Sequence, residues 1–193
     1  MSDEKFQNKY RIKSARATWH DYNGGAYFIT VCTKNREHFF GEIVQSMMQL
    51  TPIGQFLHDN LQNVTAHYPY AEIPLFVVMP NHWHAIVFID GEHRRDVTCY
   101  VSTTDESAKN KKMVEIAKRQ SLLSWTIRGI KTAVTKYANE NVGTYHDTSL
   151  QKFAWQTRFH DRIIRDKKMM NTVADYIENN VARWDNDCFN TPM

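Results

Sequence analysis

The stretch VVMPNHWHAIVFI, Val77 to Ile89, decides the fold. Two apolar runs, AEIPLFVVM and HWHAIVFI, flank a Pro-Asn turn, so they read as an antiparallel hairpin. Side chains alternate across a strand. His82 and His84 therefore share one face, while Trp83, Ala85 and Val87 take the other. Two imidazoles about 7 Å apart along a strand can bind one divalent ion. The motif is short, and alone it favours a polar sheet face with two partly exposed histidines.

Working outward from the hairpin, YNGG reads as a turn and AYFITVCT (Ala26 to Thr33) as a strand rich in β-branched and aromatic residues. KNREHFFGEI could turn back as a short second limb. Thr51-Pro52 opens a helix, because Thr can cap and Pro has no N–H to leave unpaired at the first position. Ile53, Phe56, Leu57, Asn60, Leu61 and Val64 fall on one face of it, and it should end near His67, before Pro69. A second helix carries Leu123, Ile127, Ile130, Val134 and Tyr137 on one side. Residues 141 to 152 look irregular. TRFHDRIIRD is strand-like, and KKMMNTVADYIENNVARW reads as a final helix with Met170, Val173, Ile177 and Val181 as its apolar stripe.

The order is β-α-β-β-α-β plus a C-terminal helix. That is a ferredoxin-like α+β arrangement, a split βαβ with an antiparallel sheet and helices on one face. Its third strand is interior to the sheet, and here that strand bears the two histidines. The helix-free face can stay open to a ligand. The chain divides into a polar N-terminal arm (1–20), one domain (21–185) with a long polar connection (91–120), and a short tail (186–193). Loops as long as that connection are usually functional or disordered.

A length of 193 residues suits one well-packed domain. No run of about 18 apolar residues exists, so no membrane span is expected. The charged start, MSDEKFQNKYRIK, is no secretory signal. Cys32, Cys99 and Cys188 fit neither a disulfide framework nor a metal-binding pair, and a reducing cytoplasm is the simplest setting. The net charge of +3 permits a nucleic-acid partner without demanding one. The basic residues gather locally, in RIKSAR, HRR, KNKK, IRGIKTAVTK and RIIRDKK.

A two-histidine site needs further ligands. Tyr176 and Asn180 are four apart, so they project from one side of the final helix. Taken alone, Tyr176 reads as an amphipathic aromatic at a helix–sheet seam, and Asn180 as a helix C-cap.

With these residues in view, the sequence resembles the HUH-type single-tyrosine transposases, the group of the REP-associated tyrosine transposases and their insertion-sequence relatives. MPNHWHAIV looks like their MPNHxH element. YFITVCTKNREHFFG, LTPIGQFL, SWTIRGIKTAVTK and WQTRFHDRIIRDKKMMNTVADYIENNVARW look like family blocks in family order, over roughly Tyr27 to Trp184. The resemblance implies that His82 and His84 bind Mg²⁺ or Mn²⁺, that Asn180 supplies a third protein ligand, and that Tyr176 in DYIENN is the nucleophile. It implies cleavage of single-stranded DNA beside imperfect hairpins through a covalent 5′-phosphotyrosine, followed by strand transfer. Val181 stands where many relatives have proline, which puts the helix end in doubt.

Arg128, Lys131, Lys136, Arg162 and Arg165 are candidates for phosphate contacts, with Arg11 and Arg16 weaker ones. Trp19, Tyr22 or Trp125 could stack on unpaired bases, although Trp125 also suits a core. The family includes homodimers, in which the tyrosine helix can serve the partner's site, and monomers. Three rivals stand beside this reading. One is a metal-dependent phosphodiesterase using water, another a non-catalytic single-stranded nucleic-acid binding module. The third is a domesticated relative with a housekeeping role.

Overall fold

A computed structural model describes residues 19–92, 121–141 and 152–190. Most of the long polar connection, Arg11, Arg16 and Cys99 lie outside the described residues. The strands are β1 (Gly25–Cys32), β2 (Gly41–Val44), β3 (Met47–Leu50), β4 (Ala71–Val78), β5 (His82–Ile89) and β6 (His160–Ile164). The helices are α1 (Pro52–Gln62), α2 (Val64–His67), α3 (Leu122–Asn141) and α4 (Lys167–Glu178), followed by a 3₁₀ segment, Val181–Asn186.

Four strands form one antiparallel sheet in the order β4-β5-β1-β6. That is the ferredoxin-like order, with the histidine strand interior as the element order implies. Pro80 and Asn81 form the hairpin turn, closed by Met79 N donating to His82 O at 2.8 Å. Pro74 lies where the β4 register shifts, on an edge strand, where its missing N–H breaks no ladder between two neighbours. The limb expected after β1 does not join this sheet. It forms a separate two-stranded ribbon, β2–β3, turned at Gln45 and Ser46, both with positive φ.

Odd-numbered residues of β1 and β5 face α1 and α3. Tyr27, Ile29, Val31, Trp83, Ala85 and Val87 are wholly buried there against Leu57, Leu61, Leu123, Ile127 and Val134. α1 begins as its sequence requires: Gly54 N donates to Thr51 Oγ1 at 3.1 Å, with Pro52 in the first turn. It stops at Gln62 rather than running unbroken to His67, with α2 making a separate last turn after Asn63. Gly129 sits inside α3 because a Cβ there would lie 1.6 Å from the Tyr68 hydroxyl.

Even-numbered residues face the other way, and α4 covers part of that side. Ile86, Ile164, Val173 and Ile177 are buried together, with Phe28, Leu75, Val77 and Tyr176 packed around them. The final helix is shorter than its apolar stripe suggests. It ends at Glu178, where Asn179 caps it and Asn179 N donates back to Asp175 O and Ile177 O. No proline is needed for that stop. Val181 therefore opens the 3₁₀ segment instead of completing a helical stripe.

Candidate active site

His82 and His84 lie side by side on the even face of β5, opposite Cys32 and Thr30 of β1. Both are buried, at 0% and 1% exposure, which overturns the expectation of two partly exposed histidines. Their Nε2 atoms converge to 3.1 Å. That separation would let both nitrogens reach one divalent ion.

Each ring is oriented from behind. His82 Nδ1 lies 2.8 Å from Asn81 Oδ1. Asn81 Nδ2 donates to Arg36 O at 3.1 Å and Phe189 O at 2.8 Å, which fixes its amide so that Oδ1 faces the imidazole. An amide oxygen only accepts, so His82 Nδ1 carries the proton and its Nε2 presents a lone pair. His84 Nδ1 lies 2.8 Å from Thr30 Oγ1, a hydroxyl that can accept or donate. That hydroxyl accommodates both the Nε2–H tautomer, which donates to His82 Nε2 at 3.1 Å, and the Nδ1–H tautomer that a metal-ligating histidine uses.

Burial lowers the pKa of both rings. His82 falls well below its usual value, with the neighbouring His84 adding to the effect. His84 falls to about 4, opposed by a hydrogen bond to the Ile29 backbone. Both are neutral at pH 7, the form that offers a lone pair to a metal.

Tyr176 comes from α4, its hydroxyl 3.3 Å from His84 Nε2 and its ring 5.2 Å from the His84 ring. Phe28 wedges beside both, 5.2 Å from His84 and 5.9 Å from Tyr176 between ring centroids. Burial raises the phenol pKa, the Asp187 carboxylate raises it further, and the Asn180 side chain pulls it back down.

Asn180 follows the end of α4, yet its φ and ψ of −64° and −44° remain helical. Its side chain stays beside Tyr176 and hydrogen-bonds the phenol, as the spacing of four implies. It is 1% exposed, and its Oδ1 is buried with no hydrogen-bond partner. A buried amide oxygen without a donor costs about 1–3 kcal/mol, so it calls for an explanation. A cation shared with the two Nε2 atoms would provide one. Among the described residues no group of three or more His, Cys, Asp or Glu side chains converges. The two imidazoles thus meet with no carboxylate or thiolate completing a cluster among the described residues, and the phenol lies alongside.

The expected tail contributes a cover that the sequence did not announce. Phe189 lies 4.5 Å from the His82 ring and 6.0 Å from the His84 ring, and Trp184, just before the tail, stacks on His82 at 6.1 Å. Arg36 holds this segment, donating to Cys188 O at 2.5 Å with its guanidinium 5.2 Å from the Phe189 ring centre. The only advance signal for Asn81 was its place before the first histidine. Thr30 and Phe189 gave none, because they meet the site across the sheet and from the chain's end.

The cationic candidates scatter. Arg162 is exposed on β6, paired with Phe28 and so on the histidine face, and Arg165 is exposed just beyond it. Arg128 and Lys136 are exposed on α3, where Lys136 lies 3.9 Å from Glu140. With Trp155, Thr157 and Phe159 they line a groove of about 770 Å³. Lys131 lines it too, but its ammonium donates to Gln156 O at 2.8 Å and lies 5.6 Å from the Trp155 ring centre. Of the aromatic candidates, Tyr22 is buried and Trp125 packs against the core, while Trp19 is 69% exposed. No helix among the described residues is long and apolar enough to cross a membrane.

No protein-family model matches the chain. A protein of Haemophilus influenzae with no characterised function is 29% identical over 178 residues, covering 91% of each chain. The solved structure of a REP-associated tyrosine transposase bound to a REP hairpin superposes with a TM-score of 0.52 at 22% identity, over 88% of this chain and 73% of that one. At that identity the likeness establishes the architecture: the chain has the fold of a REP-associated tyrosine transposase.

Proposed function

We propose that the chain is a metal-dependent endonuclease and strand transferase for single-stranded DNA, a transposase of the HUH single-tyrosine kind. The observation that carries this reading is the convergence of His82 Nε2, His84 Nε2 and the Tyr176 hydroxyl beside the unpartnered Asn180 oxygen. The transposase of like fold was solved with a REP hairpin, which favours hairpin-bearing DNA as the substrate here.

His82, His84 and Asn180 would hold a divalent ion. Imidazole suits Mn²⁺ better, whereas Mg²⁺ prefers oxygen. Such an ion supplies Lewis-acid polarisation and a template for a phosphodiester. The chain's own residues do the rest. Asn81 and Thr30 orient the imidazoles. Phe28 and His84 hold the phenol in place. Tyr176 Oη attacks the phosphorus, the bond from phosphorus to the 3′-oxygen breaks, and the phenolic proton is lost while the departing 3′-oxygen gains one. The resulting 5′-phosphotyrosine keeps the phosphodiester energy, so a second 3′-OH can reverse the step and join a new strand.

The test is incubation with Mn²⁺ and hairpin-bearing single-stranded DNA, resolved on a denaturing gel. A DNA–protein adduct that Tyr176→Phe abolishes is expected. Cleavage that survives in that variant would transfer the chemistry to water and remove the tyrosine's role.

A further inference from the structure

The groove on the helix-covered side of the sheet holds a nucleophile that the proposed chemistry does not use. α3 lies over the odd face, away from both imidazoles. Along it Arg128, Lys131 and Thr135 are three and four residues apart, so they form one ridge of the groove. Lys136 and the rings of Trp155 and Phe159 help to complete a cavity of about 770 Å³. The Trp155 wall is tied to the ridge, its Nε1 donating to Lys131 O and to Thr135 Oγ1, each at 3.1 Å.

Lys131 differs from the other amine of this groove. Lys136 Nζ lies 3.9 Å from Oε1 of Glu140, the one carboxylate among the lining residues, and its side chain is 76% exposed. Lys131 is half-buried, and its Nζ donates to a neutral partner, Gln156 O, at 2.8 Å. A carbonyl only accepts, so it anchors the nitrogen through one N–H and never occupies the lone pair of the neutral amine. Burial lowers the Lys131 pKa, opposed by the Cys32 sulfur. That opposition is absent at pH 7, because Cys32, pushed up to about 11, is then a neutral thiol. The Trp155 ring centre, 5.6 Å from Nζ, also favours the ammonium. It lies near the ~6 Å limit of such contacts, so its hold is weak.

We propose that Lys131 is an acylation site, at which the amine takes the acyl group of a small acyl phosphate whose phosphate is held by Arg128 and Lys136. A desolvated lysine amine is an activated nucleophile. The ammonium first loses a proton to water, and the neutral nitrogen attacks the acyl carbon. The bond from that carbon to the bridging oxygen breaks, and phosphate leaves with the electron pair. The second proton shed by the nitrogen goes to the departing phosphate, giving a neutral amide and hydrogen phosphate. The two neighbouring cations stand where charge builds on the leaving oxygen. The amide keeps one N–H, which can still donate to Gln156 O, so the modified side chain fits where the amine sat. Acylation removes one positive charge from the basic run IRGIKTAVTK. Neither the imidazoles nor Tyr176 takes part, so the site stands apart from the DNA-processing reading.

The test is incubation of the full chain with acetyl phosphate at pH 7, followed by peptide mapping by mass spectrometry. Exposure alone would favour Lys136. Lys131 should instead be acetylated several-fold faster, although it is the more buried of the two. Arg128→Ala should slow Lys131 acetylation by acetyl phosphate several-fold, and leave its acetylation by the uncharged ester N-acetoxysuccinimide unchanged. Lys131 modified no faster than Lys136 overturns the site. Equal slowing with both reagents in Arg128→Ala, or slowing with neither, overturns the acyl phosphate as its donor.

Discussion

The two faces of one sheet are built by alternate residues of the same strands, and they differ in what they bury. The odd face of β1 and β5 is a dry core under α1 and α3. The even face gathers Thr30, His82, His84 and, from the adjoining segments, Asn81 and Asn180, all buried. Its apolar cluster is small, and a helix of twelve residues plus a short C-terminal segment covers it. A strand can thus serve stability and chemistry at once, because a period of two separates the tasks. The odd face should answer to stability measurements, the even face to activity.

The largest effect expected is on the even face. Tyr176→Phe should lower adduct formation by at least ~10³-fold, since a covalent route without its nucleophile has no substitute, while denaturant stability stays within about 0.5 kcal/mol of wild type. A large loss of stability in that variant would erase the contrast between the faces. His84→Ala should abolish any rise in melting temperature on adding Mn²⁺, because only a protein that binds the ion in its native state gains stability from it. A retained Mn²⁺ shift would place the metal elsewhere.

On the odd face, Ile127→Ala should cost about 2–5 kcal/mol in urea unfolding, while adduct yield per folded molecule holds. Phe189→Ala sharpens the picture on the even side. Removing the ring that lies against both imidazoles should speed Mn²⁺ uptake by roughly tenfold, as expected when a locally held cover opens more readily. Stopped-flow metal binding reads this directly, and an unchanged rate would show that the ion enters by another way.

The smallest effect concerns Cys32, opposite His82. Burial pushes its thiol up to about 11, only partly offset by the Arg36 guanidinium. A pKa raised in the folded state means that stability falls as pH climbs past 9 toward 11, because the unfolded thiol loses its proton first. Cys32→Ala should flatten part of that slope between pH 8 and 10 in chemical denaturation. A slope identical to wild type would mean that the thiol does not feel its burial.

Periodicity made the sheet, α1, α3 and the location of the histidines legible. Each is a pattern repeated over several residues: of the second helix's stripe Leu123, Ile127, Ile130 and Val134 are buried, and Tyr137 is half-buried, stacked on Phe56. Where one residue decides, the sequence was weaker. The apolar stripe of the last helix runs on to Val181, yet Asn179 closes the helix earlier through its backbone. Lys131 has the type and setting of a phosphate contact, and a carbonyl 25 residues away engages it. The 2–3 ribbon leaves the main sheet because its strands pair with each other, which composition does not reveal. Asn180 stays beside the phenol although its helix ends two residues earlier, its side chain hydrogen-bonded to Tyr176.

The strand order has a consequence for the history of each molecule. β1 is central, but one of its two partners, β6, is made more than a hundred residues later, and α4 follows only after that. The histidine hairpin can zip while the chain is still being synthesised. Tyr176, Asn180 and the covering Phe189 emerge among the last residues described. A ribosome stalled in the polar connection would therefore release a partial sheet with both imidazoles present and no phenol beside them. The ring that lies over the imidazoles arrives later still, after the helix that carries the phenol.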